Sequence, residues 1–140
     1  MVLLRDLFIL HMVQLVLAYN FSDCNFMEIS NIYSEVIYPD LVEYLNGNLF
    51  NQIEVCDNLQ TDCLMKIEYH TLNPIPGCPT LPEKIFALKT KATLISQCPG
   101  YSETQRNNAQ KTKQEVKIIC LNQTSQIQSL WSFLLQNLGY

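Results

Sequence analysis

The chain has 140 residues and a formal net charge of −4 at pH 7. That length fits one domain around a single core, and the mild acidity argues against a general nucleic-acid partner, which would need a basic surface. Nine acids and one base fall in residues 19–68, whereas seven bases and three acids fall in residues 69–140. This asymmetry fits either solvated faces that happen to differ or two surfaces of opposite sign that steer different partners.

The first 18 residues are typical of a secretory signal peptide. An apolar run from Leu7 to Leu17 follows a basic residue, and Val16 and Ala18 are small enough for a cleavage site, which we place after Ala18. The run is too short to span a membrane and no second run of spanning length follows it. We therefore predict a secreted, extracellular chain without membrane insertion, whose single domain covers residues 19–140. The alternative is a buried first helix.

The predicted mature chain carries six cysteines, and an even number in an exported chain is typical of a disulfide framework, here with fifteen possible pairings. A zinc site is the weaker alternative, because no Cys-x-x-Cys spacing occurs and His70 is the only histidine after residue 18. We predict no metal site and no cofactor. The cysteines are Cys24, Cys56, Cys63, Cys78, Cys98 and Cys120.

Two acceptor sequons are consistent with export. Asn20 is followed by Phe-Ser, and Asn122 is followed by Gln-Thr. Asn122 lies about 140° from the apolar stripe of the helix predicted around it, so a glycan there would reach solvent. We therefore predict N-linked glycans at both positions.

The first helical pattern covers about residues 25–45. Its apolar residues follow helical spacing in the first half, but they then resume at Ile37 rather than at Asp40. The stripe slips by one residue, roughly 100° of helix rotation, and Pro39 at the slip removes a backbone donor. We predict a kink or a one-residue π-bulge near residues 36–40, a feature that often marks functional sites. The alternative is that the helix ends there.

Two further patterns follow. A short one covers about residues 62–71 and ends at the breaker Asn73-Pro-Ile-Pro-Gly77. Its buried face is predicted to contain Leu64, Ile67 and Thr71. The third begins with a capping-box spacing between Thr80 and Glu83. Its apolar residues recur four and three apart, which predicts a buried face formed by Leu81, Ile85, Leu88, Ala92 and Ile95.

The fourth pattern begins at Thr112, and Glu115 completes a second capping box. Long connections follow the first and third patterns and a shorter one joins the second to the third, which is typical of two crossovers, whereas an alternating bundle needs only short links. We predict an all-α, up-up-down-down four-helix bundle with two long crossover loops. The apolar stripe of the fourth helix contains Val116, Ile119, Cys120, Ile127, Leu130, Trp131 and Leu134.

The sequence contains no recognisable catalytic constellation. It has no Gly-rich phosphate loop, nucleophile elbow or metal-binding helix, and oxidised cysteines would leave few nucleophiles. We interpret His70 as a surface residue of the second helix rather than as a general base. The sequence therefore predicts a binding protein and not an enzyme.

Four segments, in order along the chain, closely resemble the thymic stromal lymphopoietin family. They are Thr71-Leu-Asn-Pro-Ile-Pro-Gly-Cys78, Phe86-Ala-Leu-Lys-Thr-Lys-Ala92, Cys98-Pro-Gly-Tyr-Ser-Glu-Thr104 and Cys120-Leu-Asn-Gln-Thr-Ser-Gln-Ile127. The opening Tyr19-Asn-Phe-Ser and the pair Leu130-Trp131 fit as well. The resemblance covers essentially the whole chain and is strongest to rodent-type members.

The resemblance implies a short-chain four-helix cytokine that is a monomer before it meets its receptor. It implies that the cytokine bridges a thymic stromal lymphopoietin receptor chain and the interleukin-7 receptor alpha chain, and so triggers kinase-linked signalling in immune cells. It also implies three disulfides, namely Cys24–Cys98, Cys56–Cys63 and Cys78–Cys120. This pairing agrees with the predicted helix order, which brings the start of the first helix to the end of the third.

The resemblance further implies that the fourth helix and the first crossover meet the specific receptor chain, while helices one and three meet the alpha chain. Phe133 points about 120° off the fourth stripe, so it is either an exposed anchor or a residue packed under the crossover loop. The candidate contacts are Gln128, Ser132 and Phe133 on the fourth helix, and Tyr33, Ile37, Lys89 and Lys91 on helices one and three.

A different class of protein stays open, which is a secreted, disulfide-linked helical carrier of small apolar ligands. A carrier would share export, cysteines and apolar stripes, but it needs a closed apolar cavity where a cytokine needs a filled core. A cationic membrane-active protein fits poorly with a net charge of −4.

Overall fold

The computed structural model describes residues 19–48, 56, 60–102 and 114–138. The predicted signal peptide and most of both predicted crossovers lie outside these residues. The described part is helical and has no strand, apart from a single bridge between Ile75 and Cys78. None of its helices is both long and apolar enough to cross a membrane. The prediction of an all-α protein is confirmed.

Four helices within the described residues form the bundle. Helix α1 has three parts, which are the α-helical segment Phe26–Ile32, the π-helical turn Tyr33–Ile37 and the α-helical segment Tyr38–Leu45. The other three helices are α2 (Gln60–Leu72), α3 (Ile85–Gln97) and α4 (Lys117–Asn137). Short 3-10 turns at Phe21–Asp23 and Leu81–Glu83 precede α1 and α3.

The slip in the first apolar stripe is resolved by a π-helical turn, so the predicted bulge forms, but at Tyr33–Ile37 rather than at residues 36–40. The backbone N–H of Tyr38 donates to the carbonyl of Tyr33, five residues back. This wider turn rotates the second half of α1, so Ile37 and Leu41 are fully buried while Val36 is 39% exposed. Because the extra residue keeps both halves of the stripe facing the core, packing stabilises a turn that is rare in isolation.

Helices α1 and α3 run antiparallel. Cys24 and Cys98 are joined where α1 begins and α3 ends, and the Asn25 backbone N–H donates to the Gln97 carbonyl at 2.9 Å. Near the opposite end, the Tyr44 and Phe86 rings lie 5.7 Å apart. An alternating bundle would run these helices parallel, so the contacts support the predicted up-up-down-down order.

Helices α2 and α4 also run antiparallel, because contacts join the end of α2 to the start of α4. The Gln123 side-chain amide donates to the His70 carbonyl at 3.1 Å and contacts the His70 ring Nδ1 at 3.2 Å. His70 is half-buried between the helices, so it is less accessible than the predicted surface residue. The stripe predicted for α2 is confirmed, since Leu64, Ile67 and Thr71 are buried.

The buried face predicted for the third helix is wrong except at Leu81. Ile85, Leu88 and Ile95 are 64%, 52% and 53% exposed, and Ala92 is exposed as well. Apolar residues occur on both sides of α3, so hydropathy spacing alone selects the wrong side. The buried side tolerates threonines because their hydroxyls donate to carbonyls four residues back. It consists of Phe86, Ala87, Thr90, Thr93 and Leu94.

The capping box predicted at the start of the third helix does not form. Thr80 makes no side-chain cap, and its hydroxyl donates instead to the carboxylate of Glu115. Glu115 also lies 3.6 Å from the ammonium of Lys84, so it joins the approach to α4 to the start of α3. Helix α4 begins at Lys117, and Thr112 lies outside the described residues.

The stripe predicted for the fourth helix is largely confirmed. Val116 is 40% exposed and Ile119 is half-buried, so the first turn packs less deeply than predicted. The fully buried or nearly buried members are Cys120, Ile127, Leu130, Trp131 and Leu134.

Gly77 lies where the connection between α2 and α3 contacts the start of α4. Its φ is +88°, and a Cβ at this position would clash with the Cδ1 atom of Ile119. Its carbonyl accepts a 2.7 Å hydrogen bond from the Val116 backbone N–H. Any other residue at position 77 would destabilise the fold in two ways. It would hold a side chain in the left-handed backbone region, and it would crowd Ile119.

We expect Gly77→Ala to lower the free energy of unfolding by about 2–4 kcal/mol in urea denaturation. Gly47→Ala is the matched control, because Gly47 has a φ of +77° but a Cβ added there would have no neighbour within 4 Å. That variant should lose only about 1 kcal/mol. Equal losses in both variants would show that the contact with Ile119 contributes nothing.

Candidate binding surfaces

The three disulfides hold the ends of the bundle in place. The structure contains the pairs that the family resemblance implied, with Cα–Cα distances of 4.1 Å for Cys24–Cys98, 5.1 Å for Cys56–Cys63 and 5.2 Å for Cys78–Cys120. All six cysteines are bonded.

One cluster near a disulfide has the composition of a metal site. The Glu115 carboxylate comes within 4.8 Å of the sulfurs of Cys78 and Cys120. Both sulfurs are already bonded to each other, so neither can act as a thiolate ligand. The cluster therefore does not suit a structural metal ion.

Two of the predicted contact residues lie in the core and cannot touch a partner directly. Tyr33 is 4% exposed and Ile37 is fully buried, because the π-helical turn directs both side chains inward. The Tyr33 ring stacks on Trp131 of α4, with centroids 4.4 Å apart and planes 14° apart, and burial raises the pKa of the Tyr33 phenol. The exposed residues of the turn are Ser34, Glu35 and Val36.

The outer side of α3 carries an exposed apolar stripe, which we define as Ile85, Leu88, Ala92 and Ile95. These residues lie opposite the buried side of α3, and they extend over about 15 Å at 1.5 Å per residue. Large apolar side chains in a contiguous exposed row mark interaction surfaces. Sequence patterns found these residues but assigned them to the core.

The two predicted lysine contacts flank this stripe. Both Lys89 and Lys91 are half-buried. Lys89 forms an ion pair with Asp40 of α1, so it joins the two helices and is not a free cation. The stripe on α3 and the outer side of α1 thus belong to one continuous face.

The predicted contacts on α4 are more accessible. Ser132 is exposed, whereas Gln128 and Phe133 are half-buried. Phe133 packs partly against the core, and most of the crossover loop named in the second interpretation lies outside the described residues. It lies about 200° around α4 from the buried Trp131.

Both predicted glycosylation sites are on the described surface. Asn20 is exposed, and its side-chain oxygen accepts a 3.0 Å hydrogen bond from the Ser22 backbone N–H. Because the side-chain oxygen of Asn20 makes this bond, its amide nitrogen, which is the atom that carries a glycan, points away from Ser22. Asn122 is half-buried on α4. Glycosylation at both positions stays a prediction.

Comparison with known proteins agrees with this architecture. The family model described as thymic stromal lymphopoietin matches residues 19–136. Thymic stromal lymphopoietin of Mus musculus is 55% identical over 139 residues, which covers 98% of this chain and 99% of the relative.

Two solved chains from cytokine receptor complexes, in crystal forms 2 and 1A, share 50% and 51% identity with this chain. Their TM-scores are 0.73 and 0.74, and each match covers 84% of this chain and 97% of the solved one. The family model matches most of the chain, and the mouse relative is 55% identical over nearly its full length. The chain belongs to the thymic stromal lymphopoietin family.

Proposed function

We propose that the mature chain is a secreted cytokine that joins two receptor chains, the thymic stromal lymphopoietin receptor chain and the interleukin-7 receptor alpha chain. By bringing them together it triggers kinase-linked signalling in immune cells, without catalysis of its own. The proposal rests on the similarity to two chains solved within cytokine receptor complexes, since each match covers 97% of the solved chain. Three disulfides are consistent with an extracellular location.

We assign the alpha chain to the face formed by α3 and α1. The α3 stripe supplies three large aliphatic side chains that are more than half exposed, and removal of that surface from water would favour association. The Asp40–Lys89 ion pair joins α1 to α3, and the Cys24–Cys98 bridge joins the start of α1 to the end of α3, so less ordering entropy is lost on binding.

We assign the specific receptor chain to the outer side of α4. Ser132 and the accessible part of Phe133 lie there, and partly buried aromatic rings often act as interface anchors. The Tyr33–Trp131 stack fixes α4 against α1. The two receptor chains would therefore be held at a set angle by the core.

We expect the double variant Leu88→Asp/Ile95→Asp to bind the alpha chain at least roughly thirtyfold more weakly, since each change introduces a charge into an apolar contact. Surface binding to the alpha-chain ectodomain, with the specific chain present, measures this. Met65→Asp is the matched control, because Met65 is 48% exposed on α2, away from both assigned faces. Unchanged alpha-chain affinity in the double variant would contradict the assignment of the α3 stripe.

A further inference from the structure

A groove of about 600 Å³ opens between the second half of α1 and the start of α3. Its inner surface is aromatic, because Tyr44 and the buried Phe86 lie there with ring centroids 5.7 Å apart. Ile85, the first residue of the α3 stripe, also lines the groove and is 64% exposed. The groove is therefore continuous with the face assigned to the alpha chain.

Three acidic and two basic side chains line the groove, so its net charge is negative. Two of the five charged side chains that line the groove already form ion pairs. Asp40 pairs with Lys89, and Lys84 pairs with Glu115. Glu43 on α1 and Glu83 before α3 are exposed, and neither forms an ion pair with a described residue.

The aromatic side of the groove already receives a cation from within the chain. The ammonium of Lys84 lies 5.4 Å from the centroid of the Tyr44 ring, inside the range of cation–π attraction. This contact shows that the Tyr44 ring is oriented so that a positive group can reach it. Carboxylates beside an accessible aromatic ring suit a guanidinium, which bonds to the first and stacks on the second.

We propose that this groove receives an arginine side chain from the receptor chain that covers the α3 stripe. The guanidinium bonds to the carboxylates of Glu43 and Glu83 and stacks on the ring of Tyr44. The inference rests on the proposed function, because the α3 stripe brings that receptor chain to the rim of the groove. It adds the chemical identity of a partner group that the stripe alone does not specify, and complementary charge here also speeds association.

The test compares charge reversal with charge removal at the two carboxylates. We expect Glu43→Lys/Glu83→Lys to weaken binding of the alpha-chain ectodomain about tenfold to a hundredfold, mainly at low salt, and Glu43→Gln/Glu83→Gln to weaken it less. The measurement is surface binding at two salt concentrations with the specific receptor chain present. Met65→Lys/Tyr69→Lys is the control, because both residues are exposed on α2, away from both assigned faces, and the variant carries the same number of added lysines.

The outcomes separate this inference from the proposed function. If the reversed variant binds normally while Leu88→Asp/Ile95→Asp does not, the groove inference is overturned and the face assignment stands. If neither binds more weakly, the face assignment itself is wrong. Lys117→Glu adds a second readout, since Lys117 lines the groove. We expect it to tighten binding slightly, whereas a tenfold loss would show that the groove receives an acidic group and would overturn the inference.

Discussion

Replacement of Trp131 by alanine is expected to lower the free energy of unfolding by about 3–5 kcal/mol. Trp131 is fully buried and stacks on Tyr33, so the truncation removes a large side chain and leaves a cavity between α4 and the π-helical turn of α1. Aromatic stacking adds to the loss from burial alone. Urea denaturation followed by far-UV circular dichroism measures it, because the variant lacks the only tryptophan.

Leu88→Ala is the control for this prediction. Leu88 is 52% exposed on α3, so the same measurement should change by no more than about 0.5 kcal/mol. A loss of less than about 1 kcal/mol for Trp131→Ala would mean that α1 and α4 repack around the site. A large loss for Leu88→Ala would mean that the α3 stripe contributes to the core after all.

Removal of the bridge between Cys24 and Cys98 should lower the free energy of unfolding nearly as much as Trp131→Ala does. The bridge closes a chain segment with a sequence separation of 74, and in the chain-entropy model a loop of this size stabilises the folded state by about 4 kcal/mol. We therefore expect Cys24→Ala/Cys98→Ala to lower the free energy of unfolding by that amount. Urea denaturation of the oxidised protein checks this, with peptide mapping to verify the other two bridges.

The bridge between Cys56 and Cys63 provides the comparison. Its sequence separation is 7, so the same model predicts a loss of about 2–3 kcal/mol for Cys56→Ala/Cys63→Ala. The difference between the two double variants tests whether loop length sets the stabilisation. A larger loss for the short loop would contradict the chain-entropy explanation.

Local patterns in the sequence were enough to predict the π-helical turn and the buried face of α2. Both depend on apolar residues that recur within one or two helical turns, and a one-residue slip in such a row has a geometric consequence that does not depend on the rest of the fold. The four segments that resemble the family likewise indicated its fold and its cysteine pairing.

The candidate site could be predicted only in part. The surfaces implied by the family resemblance included Ser132 and Phe133 on the outer side of α4, but they also included Tyr33 and Ile37, which the π-helical turn buries. The groove between α1 and α3 had no signal in the sequence, because Glu43 and Glu83 are 40 residues apart and the antiparallel pairing of the two helices is what brings them together.

The composition and the spacing of residues within single helices were thus sufficient to predict the all-α fold class, the helices and the slip in α1. The buried side of α3 is a different matter, because both of its sides carry apolar residues and the choice depends on the helices packed against it. Thr90 and Thr93 can lie on the inner side since their hydroxyls bond to carbonyls of their own helix, and this leaves the aliphatic stripe of Ile85, Leu88 and Ile95 at the surface.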